Sequence, residues 1–317
     1  MAAVRSNAQL PRFAAAIDAA LDVEGVHSLS LSVAGRTILS EVFCDPPLTT
    51  PLNVGTAARP VLSALTGIAI EKGYLDSLEQ RVAPILARSL PARPDPRLDL
   101  LTIENLLAMQ AGLRSVSGPA GRAWRGSPDW VRHALAQPFM ADPGRAMIES
   151  TGNYHLMGAI LSIAAGHDLL WLARTWLGRP ASMAIEPWFR DPQGRYVGGD
   201  DMFLTPEALL RLGELHALGG LWNGRAVLPR NWVAKALTPR ATSRETGDSF
   251  GLGWFLRRFG GEQGAYAGTD EHTVWILPGL DAAVAVTSKP GLRAEGERMA
   301  KLHALVSRHI VLPLTRG

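Results

Sequence analysis

The sequence predicts an α+β fold: one sheet assembled from both ends of the chain, with a mainly helical body inserted between them. Three observations carry this. Residues 28–43 and 251–287 hold short runs of strand-forming residues separated by turns. Residues 51–228 show helical periodicity interrupted by loops that hold most of the prolines and glycines. With 317 residues and 47% hydrophobic content, the chain can bury a large core. The sheet part is expected over 1–50 and 229–317 and the helical part over 51–228, as one cooperative unit with a site at their junction.

The elements follow in order. Residues 1–22 read as an amphipathic helix, clearest over 11–21; Asp18 lies inside it and it lacks the apolar core of a signal peptide, so the chain is read as cytoplasmic. Residues 28–33 and 37–43 alternate apolar and polar side chains around Ala34-Gly35-Arg36, the pattern of a β-hairpin. After a Pro-rich connection, residues 53–73 predict the helix that organises the chain. Gly55 supplies a turn, Thr56 an N-cap, and Pro60 sits in the first turn, where no intrahelical N–H bond is lost. Val61, Leu62, Leu65, Ile68, Ala69 and Ile70 make it apolar on nearly every face, and Gly73 closes it. Residues 90–99 are irregular, Thr102 opens a short helix that ends at Gly112, and 115–128 read as a lid or surface excursion. The run 156–165 is far short of the ~20 residues a membrane span needs, and predicts a core helix. Strands over 251–257, 273–277 and 282–287 and a helix over 295–309 close the chain.

Composition removes several function classes. The net charge is only +3 and no basic run is present, which excludes a nucleic-acid footprint. A single cysteine, Cys44, allows no internal disulfide and offers no metal-ligand spacing. No cofactor, metal or membrane is expected. The expected partners are a small-molecule substrate and, at most, a second copy of the chain in a homodimer.

Several segments carry a resemblance. They are Ala64-Leu65-Thr66-Gly67-Ile68-Ala69-Ile70-Glu71-Lys72-Gly73; Leu101-Thr102-Ile103-Glu104-Asn105-Leu106-Leu107 with Ala111-Gly112-Leu113; and Thr151-Gly152-Asn153-Tyr154-His155-Leu156. Further on stand Phe203-Leu204-Thr205-Pro206-Glu207, Gly219-Gly220-Leu221-Trp222-Asn223-Gly224-Arg225, and Phe250-Gly251-Leu252-Gly253-Trp254. In this order and spacing, over about 30–290, they resemble the serine β-lactamase and penicillin-binding-protein superfamily. The likeness is greatest to class C β-lactamase-related esterases and the 6-aminohexanoate-dimer hydrolase group. The resemblance implies a β-lactamase-like fold, an antiparallel sheet from both termini with flanking helices plus an all-helical subdomain. It also implies a site built from Ser-x-x-Lys, a Tyr or Ser on a second loop, and a Lys/His-x-Gly strand.

On that register the residues depart from the pattern. Thr56 stands where the Ser would be and Arg59 where the Lys would be; a guanidinium stays protonated and cannot serve as a general base. Glu149 takes the Tyr position, and Thr151 keeps a polar third position. Tyr266-Ala267-Gly268 retains only the Gly of the third motif, followed by Asp270-Glu271-His272. Arg59 and Glu149 are expected to form an ion pair. One reading makes it the neutral filling of a retired site. In the other, Glu149 is an acid or base and Arg59 anchors a substrate carboxylate.

Other residues have bland readings beside functional ones. Asp270, Glu271 and His272 could shuttle protons at the cavity edge, though an acidic turn between strands is more often solvated. His155 packs or caps a helix. Tyr154 and Tyr266 could act as acids, though a buried tyrosine is more often structural. Trp124 and Trp188 are expected over the cavity, where they would suit a flat aromatic ligand. The catalytic set read from the sequence is therefore Glu149, Thr56, Arg59 and His272, with Thr151, Tyr154, Tyr266, Gly268, Asp270, Trp124 and Trp188 binding substrate. Three function classes follow: a repurposed, non-hydrolytic enzyme doing carboxylate acid/base chemistry (condensation, a Pictet-Spengler-type cyclisation, or isomerisation); a residual esterase or amidase with Thr56 as nucleophile; and an inactive small-molecule-binding protein.

Overall fold

The computed structural model describes residues 10–269, 271–289 and 296–316. Helices are α1 (Leu10–Leu21), α2 (Arg59–Glu71), α3 (Ile103–Leu107), α4 (Gly121–Arg125), α5 (Trp130–Leu135), α6 (Thr151–Ala165), α7 (Leu169–Leu172), α8 (Pro206–Ala217), α9 (Trp232–Ala236), α10 (Gly296–Leu305) and α11 (Leu312–Arg316). Strands are β1 (Val26–Val33), β2 (Arg36–Val42), β3 (Leu52–Asn53), β4 (Phe203–Leu204), β5 (Leu221–Trp222), β6 (Arg225–Ala226), β7 (Ala241–Thr242), β8 (Ser249–Phe250), β9 (Phe255–Phe259), β10 (Glu262–Gly268), β11 (Thr273–Leu277) and β12 (Ala282–Ser288).

The main sheet has eight strands in the order β2-β1-β12-β11-β10-β9-β8-β7. The two chain ends meet one strand in from its β2 edge, where β1 pairs antiparallel with β12 from Val26↔Ser288 to Val33↔Ala282. Helices cover both faces. Side-chain alternation assigns them: Trp275 donates its indole N–H to His303 of α10, whereas a Cβ placed on Gly213 of α8 would lie 2.7 Å from Val274, the next residue along β11. That double cover explains β1, which the sequence reads as half-buried. Its serines Ser28, Ser30 and Ser32 are as buried as Leu29 and Leu31.

Two details of the predicted elements change. The helix α2 has no side-chain N-cap, and Thr56 lies one turn earlier, in a 3-10 turn over Gly55–Ala58. That turn runs directly into α2 and supplies partners from the backbone: Ala57 N–H donates to Val54 O at 3.0 Å and Arg59 N–H to Thr56 O. The excursion over 115–128 is anchored, since it contains α4 and buries Trp124. Among the described residues no single helix is long and apolar enough to cross a membrane.

Candidate active site

Arg59 opens α2 and Glu149 lies just before α6, and the two meet. Arg59 Nη1 is 2.7 Å from Glu149 Oε1, with the arginine side chain 4% exposed and the glutamate 36%. The guanidinium is also 5.8 Å above the Tyr154 ring. Tyr154 is fully buried, and its hydroxyl donates to Leu107 O at 2.7 Å. Burial, with the Glu149 charge adding to it, pushes its phenol above the ordinary tyrosine range. Tyr154 is thus the floor under Arg59 and not an acid at neutral pH.

A serine strap fixes the segment that carries Glu149. Ser115 Oγ donates to Glu149 O at 2.7 Å, and Val116 N–H donates to Ser150 Oγ at 3.2 Å. Thr151 N–H donates to Ser117 Oγ at 2.8 Å, and the Thr151 hydroxyl lies 3.1 Å from the same oxygen. Ser150 gives α6 no side-chain cap, so a residue from another segment satisfies one of its free amides.

Beside this pair is a cleft of about 410 Å³ lined by Asn53, Gly55, Thr56, Asp200, Thr269, Glu271 and His272, together with Leu52 and Val54. Thr56 and His272 both line it. It also contains Asp200, which sequence reasoning missed. Burial, then the neighbouring Asp201 charge, raises the Asp200 carboxyl above its usual pKa, while Arg125 and Arg59 partly offset this. Arg125 reaches it at 3.3 Å and reaches Asp201 at 2.5 Å. Asp201 also accepts from Asn53 Nδ2 at 3.1 Å, and Asn53 Oδ1 accepts Gly55 N–H at 3.0 Å, so the acidic loop is tied to the turn that carries Thr56.

The preceding glycines allow that placement. A Cβ on Gly198 would lie 2.1 Å from Tyr154 O, and Gly199 has φ +67° against the Tyr154 ring. His155 supports the same loop: Gly198 N–H donates to its Nδ1 at 3.4 Å, and its Nε2 faces Asp191 Oδ2 at 3.2 Å. The available sequence signal was Gly-Gly-Asp-Asp, paired small residues followed by paired carboxylates.

His272 is 4% exposed, and its Nδ1 accepts Ser288 N–H at 3.3 Å. Burial, then the His27 and Arg298 charges, pushes it down to about 4. At neutral pH it is an uncharged ring, suited to donating a hydrogen bond and not to cycling a proton. Gly268 closes the turn before it, where a Cβ would lie 2.0 Å from His272 O. Asp270 lies outside the described residues.

Three substrate-binding expectations are corrected. Tyr266 pairs with Trp275 across β10 and β11 and therefore shares its face, toward α10. Its ring stacks on Phe255 at 5.1 Å, and its hydroxyl donates to Asp248 at 2.8 Å. Trp124 and Trp188 are 1% and 7% exposed, with indole N–H groups donating to Trp130 O at 3.0 Å and Val197 O at 2.8 Å. Carbonyls inside the helical body satisfy them, so they form core and not cleft wall. Among the described residues, no group of three or more His, Cys, Asp or Glu is placed to hold a metal ion.

Comparison with known proteins is consistent with this architecture. Residues 49–307 match the family model described as Beta-lactamase. The octameric penicillin-binding protein homologue from Pyrococcus abyssi superposes with a TM-score of 0.73 at 15% identity, covering 95% of this chain and 77% of that one. A penicillin-binding protein homologue from Caulobacter crescentus gives 0.73 at 17% identity, with 94% and 98% covered. EstCE1, a hydrolase with promiscuous acyltransferase activity, gives 0.73 at 18% identity, also with 94% and 98% covered. No curated protein matches the sequence. At these identities the superpositions show the fold, while the family match spans well over half of the chain. The chain belongs to the beta-lactamase family and has its α+β fold.

Proposed function

We propose that this chain is a small-molecule enzyme of the beta-lactamase fold in which carboxylate acid–base chemistry replaces acyl transfer through a serine. The observation that carries the reading is the contrast between two carboxyls. Glu149 is tied to the buried Arg59 at 2.7 Å, whereas Asp200 stands in the cleft with its affinity for a proton raised. Two carboxyls held in different environments are the pattern of an acid–base site. Thr56 supplies a hydroxyl beside Asp200 in the same cleft. Condensation, cyclisation and isomerisation all fall within this chemistry. The burial of Trp124 and Trp188 speaks against a substrate chosen for flat aromatic walls.

The test has two arms. Intact-mass measurement after incubation with a fluorophosphonate and with penicillin is expected to show no adduct; a stoichiometric acyl or phosphonyl group on Thr56 would establish the hydrolase reading instead. A mass-spectrometric screen of amine and carbonyl metabolites is expected to reveal a conversion that Asp200→Asn and Glu149→Gln each slow by roughly 100-fold or more. Wild-type rates in both variants, or no conversion by the native protein, would overturn the proposal.

A further inference from the structure

Arg125, the last residue of α4, spans both carboxyls of the acidic loop, and it does so unequally. Its Nη1 is 2.5 Å from Asp201 Oδ2, whereas its Nη2 is 3.3 Å from Asp200 Oδ2. A charge-assisted N–H···O bond is normally ~2.7–2.9 Å long, so the strong arm of the fork is on Asp201 and the weak arm on Asp200. The remaining oxygens have partners of their own. Asp201 Oδ1 accepts from Asn53 Nδ2 at 3.1 Å, and Asp200 Oδ1 accepts the Asp201 amide at 2.9 Å. Asp201 has a φ of +53°, a left-handed conformation that aspartate and asparagine adopt more readily than most residues. The guanidinium is also steadied by α4 and α5: it lies 5.8 Å from the Trp124 ring and 5.5 Å from the Trp130 ring, and the Trp130 indole N–H donates to Arg125 O at 3.2 Å. Two other charged or titratable elements face Asp200. The Arg59 charge reaches it from α2, and Glu271 and His272 line the same cleft.

We propose that Asp201 and Arg125 are a positioning pair for Asp200: Asp201 engages the guanidinium and holds it at the edge of Asp200, which is left incompletely neutralised and able to take up a proton. An arginine bound to Asp200 through both arms would keep that carboxyl ionised and make it a poor proton acceptor. Asp201 therefore acts through Arg125 and through its own charge, without touching a substrate. The inference deepens the reading of Asp200 as one of two working carboxyls and rests on it, but its test does not use turnover.

Carbon-13 titration of the aspartate carboxyls in the full chain follows Asp200, assigned by the signal lost in Asp200→Asn. Asp201→Asn, which suits the same backbone conformation, should move the Asp200 midpoint downward, because a negative neighbour is removed and the released guanidinium closes on Asp200. Arg125→Met should move the midpoint upward, and Arg125→Gln, a second neutral replacement, should do the same. The fall caused by Asp201→Asn should be at least about twice as large in the parent as in either neutral variant, where only the neighbouring charge is lost. Equal falls with and without Arg125, or midpoints in the neutral variants at or below that of the parent, would overturn the proposal. If these shifts appear while no conversion is found, the acid–base reading fails and the pairing stands. If Asp200→Asn slows a conversion while the two falls are equal, the pairing fails and that reading stands.

Discussion

At the scale of single residues, the Arg59–Glu149 pair is the most consequential feature. Removing one partner from a buried pair costs ~3–5 kcal/mol, whereas exposed pairs contribute ~0–1. Here Arg59 is buried and Glu149 is about one-third exposed, so Glu149→Ala should cost roughly 2 kcal/mol. The stranded guanidinium accounts for most of that loss. The double replacement Arg59→Leu/Glu149→Ala should therefore be more stable than the sum of its single variants by at least ~1 kcal/mol in a urea-unfolding cycle. Additive losses would mean that the pair has no coupling. This contact was legible in the sequence because the motif register placed two opposite charges at facing positions. Asp200 was not, because Gly-Gly-Asp-Asp reads locally as a turn, and only folding brings Asp200 near the Thr56 turn and within reach of the Arg59 charge.

At the scale of elements, α2 shows how sequence and packing divide the work. Its apolar surface and Pro60 are evident from the residues, but its contact with α9 is not. A Cβ on Gly67 would lie 2.3 Å from Cδ2 of Trp232. Alanine gains ~1 kcal/mol over glycine in a helix interior, and overpacking against a rigid group costs ~1–3. The indole is 4% exposed and rigid, and a Cβ at 2.3 Å has to displace it, so overpacking wins. Gly67→Ala is expected to lower stability by ~1–2 kcal/mol, and adding Trp232→Leu should recover part of that loss. A Gly67→Ala protein as stable as the parent would show that α9 slides freely. The strand β10 was legible only through the third motif and not from the strand preference of its own residues, for a related reason. Gly264, Ala265 and Ala267 have little strand preference of their own, and β10 exists because β9 and β11 pair with it on both sides. By contrast, the β1–β2 hairpin and β11 were plain, since turn signals bracket branched and aromatic residues there.

For the whole molecule, three buried histidines set the response to acid. His216, His272 and His303 are each pushed from 6.5 down to about 4, first by burial. Hydrogen bonds explain why the charged form is excluded at two of them: Ser288 N–H points at Nδ1 of His272 and Trp275 Nε1–H at Nδ1 of His303, so a proton there would face a donor. Between those pKa values the unfolded chain binds a proton that the native state refuses. Stability is therefore complete above about pH 6.5 and falls as pH drops toward 4, by roughly 3 kcal/mol per ring. Burial alone would raise Asp191, but hydrogen bonds from His155 and the Arg195 amide hold it below the usual range, so its contribution is lost further into acid. Asp200, with its pKa raised, works in the opposite direction and offsets a part. Because β1 and β12 join the two ends of the chain in one sheet, the loss should appear as a single transition in both circular dichroism and tryptophan fluorescence. Urea midpoints measured from pH 7.5 to 4.5 should decline most steeply below pH 6.5. His303→Asn, which can still accept the Trp275 N–H, should lower stability at pH 7.5 yet flatten that slope. A parent protein equally stable at pH 7.5 and 4.5 would mean that these rings accept protons in the folded state.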